Sequence, residues 1–381
     1  MFSTRLSPFC FLLLLVTIGT LPAVTKPTPA ENRLQEPSHL RIGGLISYSE
    51  RSLANGIEMA ADEVNGSGGV ARHPIELIIK NAQGRPDKAS EVVSKLIKED
   101  RVDALIGGEE SDVTLEAARL AQAAKIPLIA SAAIDPDVTK VGDYIFRTCF
   151  IDPVQGRAMA KFAVGRLKAK RAAILHDSES KDHPTLAYSF ESEFTKLGGV
   201  IVSRQTYNGG DIDFLSRLDA IRSAKPEVLY IPGNYTEVAL IARQARAIGI
   251  TKTTFIGGDG WNSPKIWEIA GQSIDESYFT DHYSHTEPSL LNQEFVRKYL
   301  KRYGKVPDSF AALGYDSLKI LADSITRAKT PGSVALRDAI AQTKNFPGVT
   351  GAITFDSDRN ARKRVVILQV RGRKFILQNH R

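Results

Sequence analysis

RVDALIGGEESDVTLEAARLAQAAKIPLIASAAIDPDVT, residues 101–139, divides into four pieces. Asp103 to Ile106 is a short apolar strand that breaks at Gly107-Gly108. Val113, Ala117, Leu120, Ala121 and Ala124 then recur at helical spacing behind Ser111, which the pattern places as an N-cap. Ile126 to Ala130 is a second apolar strand. Strand, tight turn, helix and strand make one crossover of a parallel sheet, and such sheets bind ligands beyond the carboxyl ends of their strands. Gly107 to Ser111 and Ser131 to Asp135 are two such ends, expected side by side. The N–H groups of the helix, with the Ser111 hydroxyl beside them, would hold an anion such as a carboxylate. Ser111 could equally do no more than cap its helix.

Working outward, the same alternation continues in both directions. Leu40 to Ile46 is a strand, Leu53 to Asn65 a helix, Ile75 to Lys80 a strand and Ala89 to Asp100 a helix, which completes one doubly wound lobe. The loop SYSERS leaves the first strand's carboxyl end and puts Ser47 and Tyr48 toward the same cleft. Gly66-Ser67-Gly68-Gly69 follows a helix and precedes a strand, the reverse of what a phosphate loop requires. From Pro153 a second series runs: a helix to about Leu167, strand Ala172–His176, a helix around Ala187–Leu197, strand Val200–Gln205, helix Phe214–Ala224, strand Val228–Ile231, helix Glu237–Ile248 and strand Thr254–Ile256. Its strand ends at Asp177, Gly233 and Gly257 should line the opposite wall. Helices at Gln293–Tyr303 and Ala311–Ala328 follow, and the last part alternates like antiparallel strands joined by a turn at Asp356–Asn360.

The 381 residues, 43% hydrophobic and 24% charged, are those of an ordinary globular protein long enough for two lobes. FCFLLLLVTIGTL after Arg5 has the length and flanks of a secretory signal and is short for a membrane span. Removal of that segment would leave Cys149 as the lone cysteine, so the fold must be held by its core and not by an internal disulfide. The net charge of +7 is spread out, and its local clusters at Lys168–Arg171 and Arg362–Arg364 lack the interleaved aromatics of a nucleic-acid groove. No nucleic-acid partner is expected.

Five motifs in order, IEMAADEVNGSGGVARHPIEL, DALIGGEESDVT with IPLIASAAIDPDVT, YIFRTCFIDPVQGRAMAKF, PGNYTEVALIARQARAIGI and FIGGDGWNSPKIWEIAG, resemble the periplasmic solute-binding proteins of bacterial ABC transporters, in the leucine/isoleucine/valine-binding branch. The likeness covers roughly Leu40 to Phe375. It implies an α/β fold of two doubly wound parallel-sheet lobes joined by a three-strand hinge, the type I periplasmic binding protein, closing on its ligand. On this basis residues 1–30 are a signal peptide and 31–38 a linker. Residues 39–148 and 284–347 would form lobe one, and 149–283 and 348–381 lobe two. The resemblance implies a monomeric receptor in the periplasm, with a small-molecule ligand and the membrane permease of an ABC transporter as partners and no cofactor.

In amino-acid-binding members the ligand carboxylate is held by a serine at the position of Ser111, by backbone at Ala133, and by a threonine one residue on, where this chain has Ile134. The ammonium is held by an acidic residue at the position of Asp259 and an aromatic at that of Tyr235. A tyrosine usual after the aspartate of the second lobe's first strand is replaced here by SESKDH, with Lys181 near its place. Tyr48, Tyr235 and Trp261 could wall the pocket, and Glu110 beside Glu109 would favour a cationic ligand if it faces the cleft. Each has a plainer explanation: Asp259 as a turn former, Trp261 as core, the two glutamates as solvated charges.

An enzyme on the same fold is the rival reading. Ser111 lacks the glycines of a nucleophile elbow and SYSERS lacks a nicotinamide fingerprint, so no catalytic residue is assigned. His282 and His285 in DHYSHTE could share a metal only on a helix, and the segment reads as an extended hinge. A ligand sensor, or a receptor for an aromatic or aliphatic acid or an amide, would use the same two lobes.

Overall fold

The computed structural model describes residues 1, 39–47, 51–328 and 332–378; the expected signal segment, the linker and Tyr48 lie outside the described residues. The chain divides by contacts at Ser38, and the architecture below is that of His39–Arg381.

Strand β1 (Leu40–Ile46), helix α1 (Ser52–Gly66), β2 (Ile75–Asn81), α2 (Pro86–Lys98), β3 (Ala104–Gly107), α3 (Ser111–Ala124), β4 (Leu128–Ala130), the short α4 (Asp137–Lys140) and β5 (Ile145–Arg147) come first. Their strands form one parallel sheet in the order β2-β1-β3-β4-β5. Period-two alternation makes it doubly wound. Ile42, Ile106, Ile129 and Phe146 pack with α1 on one face, and Leu45, Leu105, Leu128 and Ile145 with α2 and α3 on the other. All are buried, at roughly 1.5–3 kcal/mol of transfer free energy each for the larger side chains.

The second series is α5 (Asp152–Gly165), β6 (Arg171–Asp177), α6 (Asp182–Lys196), β7 (Val200–Tyr207), α7 (Leu215–Ala224), β8 (Val228–Ile231), α8 (Tyr235–Ala247), β9 (Thr254–Gly257), α9 (Lys265–Ala270) and β10 (Ser277–Asp281). Helices α10 (Leu290–Tyr303), α11 (Ser309–Ala328) and α12 (Ser333–Ala341) return to the first core. Strands β11 (Phe346–Gly348), β12 (Gly351–Phe355) and β13 (Ala361–Arg362) make a small antiparallel sheet, and β14 (Val366–Arg371) and β15 (Lys374–Leu377) end the fold. The second sheet runs β15-β14-β10-β9-β8-β6-β7, parallel from β7 to β10 and antiparallel at its last two strands. Its faces alternate as in the first, with Leu175, Leu229 and Phe255 toward α7 and α8 and Ile174, Val228 and Tyr230 toward α5 and α6.

The C-terminal strands depart from the sequence reading. The turn at Asp356–Asn360 joins only β12 to the two-residue β13, and β14 pairs with β10 instead. Residues 348–362, assigned from sequence to the second lobe, lie against the first core, where Val349, Ile353, Phe355 and Ala361 are buried. The buried Asp316 of α11 holds them there, accepting the N–H groups of Val349 (2.8 Å) and Thr350 (2.9 Å) and the Thr350 hydroxyl (2.6 Å). Lys363 donates to that hydroxyl at 2.5 Å, and the chain crosses to the second sheet just after it. Three segments therefore pass between the cores: 148–151, 282–289 and 363–365.

Two features position the cleft. Gly107 stands opposite both Leu45 and Ala130, so β1, β3 and β4 end level, and Ile231 stands opposite Gly257 in the second sheet. Gly107 also adopts φ 127°, where a Cβ would lie 2.0 Å from the Leu45 carbonyl oxygen. Only glycine lets the chain leave β3 this tightly.

Candidate functional site

Glu110, extended at φ −99° and ψ 141°, precedes α3, and Ser111 is its first helical residue, not its cap. The glycine turn moves the helix boundary one residue forward of the sequence reading. The freed Ser111 hydroxyl accepts the Asp135 N–H at 3.2 Å, which ties the loops after β3 and β4 together. The second loop is fixed from beneath by Arg147, whose fully buried guanidinium donates to the carbonyls of Ala133 (2.8 Å) and Asp135 (2.6 Å). Cys149 Sγ donates to the Ala133 carbonyl as well. Ala133 is wholly buried, and Ile134 turns into the cleft.

On the second wall Asp259 opens a single 3-10 turn, Asp259–Trp261, directly after β9. Gln155 of α5 grips it from both sides, donating from Nε2 to Oδ1 (3.1 Å) and accepting the Asp259 N–H at Oε1 (2.7 Å). His282 Nε2 lies 3.1 Å from Oδ2. Burial pushes the Asp259 carboxyl up, but the bond and charge from His282 and the bond from Gln155 outweigh it and hold the group below the usual carboxylate range. Burial lowers the imidazole of His282 despite Asp259. Near neutral pH the pair is thus a carboxylate and a neutral imidazole, and the His282 charge acts on Asp259 only at lower pH, where the imidazole is protonated. A carboxylate only accepts, so the imidazole proton is on Nε2, and Nδ1, which has no hydrogen-bond partner, carries the lone pair.

The expectations for the aromatic wall need correction. Trp261 is fully buried in the second core, with Nε1 donating to the Ile231 carbonyl at 3.0 Å and the ring tilted against Phe279. Its indole N–H finds its partner inside the sheet, so the ring cannot wall a ligand pocket. Tyr235 begins α8 and packs partly buried on that core, outside the cleft lining.

A cleft of about 530 Å³ lies between the strand ends. Glu110, Ser111 and Ile134 line it from one side and Asp259 from the other. Leu186 and Phe310 add apolar wall, and Phe310 comes from α11, far along the chain. Sequence reasoning missed Asp182 and His183, which begin α6 and line the cleft beside Lys181. It also missed Asp152, 1% exposed, with neither carboxylate oxygen in a hydrogen bond. Burial and the charges of Asp182, Asp259 and Asp135 push Asp152 well above the usual carboxylate range, against a smaller pull from Arg147. Asp182 is pushed up to about 6 by burial and by Asp135, Asp259 and Asp112. Such an open, charged, partly apolar cleft can bind a small polar molecule and neutralise its charge. Among the described residues no three His, Cys, Asp or Glu side chains are placed to share a metal ion.

Residues 41–374 match the family described as periplasmic binding protein. The chain belongs to that family. Its relatives include the Leu/Ile/Val-binding protein BraC3 of Rhizobium johnstonii, 25% identical over 315 residues, which cover 82% of this chain and 84% of BraC3. Among solved structures it is similar to the leucine-binding protein LivK of Thermotoga maritima, at 33% identity and TM-score 0.81 over 89% of this chain and 98% of that one. It is equally similar to LivJ of Streptococcus pneumoniae in complex with isoleucine, at 30% identity and TM-score 0.81 over 90% of this chain and 99% of the other. This periplasmic binding protein thus has the type I fold, and its cleft lies where the loops of the two sheets meet.

Proposed function

We propose that this protein is the extracytoplasmic receptor of an ABC importer and binds an amino acid, or a related small polar carboxylate, by hinge closure around the cleft. Asp259 is the observation that carries this reading. It is a charged carboxylate, held on both sides, and its side chain keeps 21% of its surface exposed at the cleft. That suits a partner for a ligand ammonium, while the N-terminus of α3 with Ser111 suits a carboxylate. Of the two solved structures named above, one is a leucine-binding protein and the other a branched-chain amino acid transporter substrate-binding protein in complex with isoleucine, which supports an amino-acid class. The receptor works as a monomer, is exported to the periplasm, delivers its solute to a membrane permease and turns nothing over.

Ile134 favours a second reading, a small solute that is not an α-amino acid, because it removes a hydroxyl from the expected carboxylate site. A thermal-shift screen of amino acids, aromatic and aliphatic acids, amides and amines tests both. A solute at a hundred times its Kd should stabilise the protein by about 2.7 kcal/mol. Failure of every class to shift the melting temperature would contradict the receptor assignment.

A further inference from the structure

Asp259 is tied to the end of β10 through three consecutive residues. Thr280 donates its hydroxyl to Gln155 Oε1 at 2.5 Å, and the same Gln155 grips Asp259. His282 bonds Asp259 itself. Asp281, between them and wholly buried, holds the far end of the turn. Asn262 closes that turn with its N–H on the Asp259 carbonyl at 3.0 Å and donates from Nδ2 to Asp281 Oδ2 at 2.5 Å. A carboxylate only accepts, so this contact fixes which side of the Asn262 amide faces it.

Asp281 differs from its two neighbours in bonding a side chain of the other core. Its Oδ1 accepts the hydroxyl of Ser309, the first residue of α11, and Asn262 Nδ2 donates to the same hydroxyl oxygen at 3.1 Å. Asn262, Asp281 and Ser309 thus form a closed triangle. Ser309 is buried, and its end of α11 is anchored in the first core, where Asp308 accepts the Ala311 N–H (2.9 Å) and the Ser52 hydroxyl of α1 (2.6 Å). Phe310, the next residue, lines the cleft. The triangle therefore joins the turn that carries Asp259 to the helix that carries Phe310, at the point where β10 gives way to the crossing segment 282–289. Burying a carboxylate is costly unless donors meet it, and here they come from both cores. An apolar contact would hold the cores together without that cost, but only directed bonds fix their spacing.

Resting on the receptor reading above, we propose that Asp281 is a positioning residue for ligand binding: through Asn262 and Ser309 it sets the gap between the two walls of the cleft. With the triangle closed, Asp259 and Phe310 stand at a fixed spacing and the solute meets both. With it open, the wall carrying Asp259 swings about the crossing segments, and the binding-competent fraction falls.

The test is pulsed electron–electron resonance on the exported protein, with nitroxides at Arg119→Cys on α3 and Tyr188→Cys on α6, both exposed positions; Cys149 is wholly buried and stays unlabelled. Measurement at pH 8.5 keeps Asp281 ionised, since burial raises it to about 7 against the Ser309 bond and with the Asp259 charge. The parent should give one narrow distance, and Ser309→Ala, Asn262→Ala and Asp281→Asn a broader and longer one with an unchanged circular-dichroism spectrum. Asp281→Asn sets two amide donors face to face; adding Asn262→Asp restores a donor and an acceptor and should bring the distance back. In calorimetry with L-leucine, L-arginine and 1,4-diaminobutane, the tightest-binding probe should lose about tenfold in affinity in each single variant and regain most of it in the exchange. If the single variants lower the melting temperature but leave distance and affinity unchanged, or the exchange recovers neither, Asp281 is structural only and the proposal is wrong. If no probe binds the parent, the ammonium reading of the cleft fails, while the label distances alone still uphold or overturn the clasp.

Discussion

Asp259 is fixed by two side chains that no local pattern could have supplied. Gln155 lies 104 positions earlier in the chain and His282 23 positions later. The motif GGDGWN after a strand showed where a charged group would stand, but its ionisation depends on those partners. For an ammonium ligand, Asp259→Ala should cost about 2–5 kcal/mol of binding free energy, the scale for truncating one member of a desolvated charge pair. Ser111→Ala should cost about 1 kcal/mol, because the helix N–H groups remain. Titration of both variants checks the order, which inverts for an anionic ligand. Trp261 failed as a pocket residue for a related reason: burial of a Trp four residues past a strand end depends on which way the turn closes, and that is set by the sheet beneath. Asp182 gives a pH signature. Its carboxyl is raised to about 6 by burial and by Asp135, Asp259 and Asp112, with Lys181 opposing. Its ionised form is therefore disfavoured by folding, a penalty present above about pH 6 and relieved as pH falls toward the ordinary value near 4. Asp182→Asn should raise the unliganded melting temperature at pH 7.5, with the gain fading by about pH 4.

At the scale of elements, the parallel strands were legible as short continuous apolar runs, as strands buried on both faces are, and their helices by a 3.6-residue period. Helix α6 was read as starting near Ala187 but begins at Asp182. Its first turn, DHPT, is polar and shows no apolar period, while the Ser180 hydroxyl accepts the N–H groups of Asp182 (3.2 Å) and His183 (3.3 Å) and Pro184 fits an opening turn. Capping, not periodicity, starts this helix, and the missed turn is the one that brings Asp182 to the cleft. The β13–β14 crossing was illegible for another reason: β12 and β14 are both apolar strands, and only their tertiary partners, the Asp316 bonds to Val349 and Thr350 and the pairing of β14 with β10, separate them into different cores. The Gly107 turn makes a firm prediction. Gly107→Ala forces a Cβ to 2.0 Å from the Leu45 carbonyl oxygen at φ 127°, and should cost at least about 2 kcal/mol in urea denaturation and weaken ligand binding with it.

The molecule as a whole was readable as two repeating series of elements, and the order of five motifs named its family. The side-chain contacts within the joint between the series were not readable. On two of its three crossing segments Phe150 and His282 stack with ring centroids 3.7 Å apart and planes 30° apart. The same His282 bonds Asp259, so the cleft carboxylate is wired directly to the hinge. A cation drawn to Asp259 therefore acts on the segment about which the lobes would turn, and closure and binding are expected to be coupled. Phe150→Ala should loosen that coupling, lowering affinity while leaving Asp259 in place. Small-angle X-ray scattering of the protein alone and saturated with whichever of L-leucine, L-arginine or 1,4-diaminobutane binds most tightly tests the central claim most directly. A hinged receptor predicts a smaller radius of gyration in the bound state; a radius unchanged at saturation would contradict it.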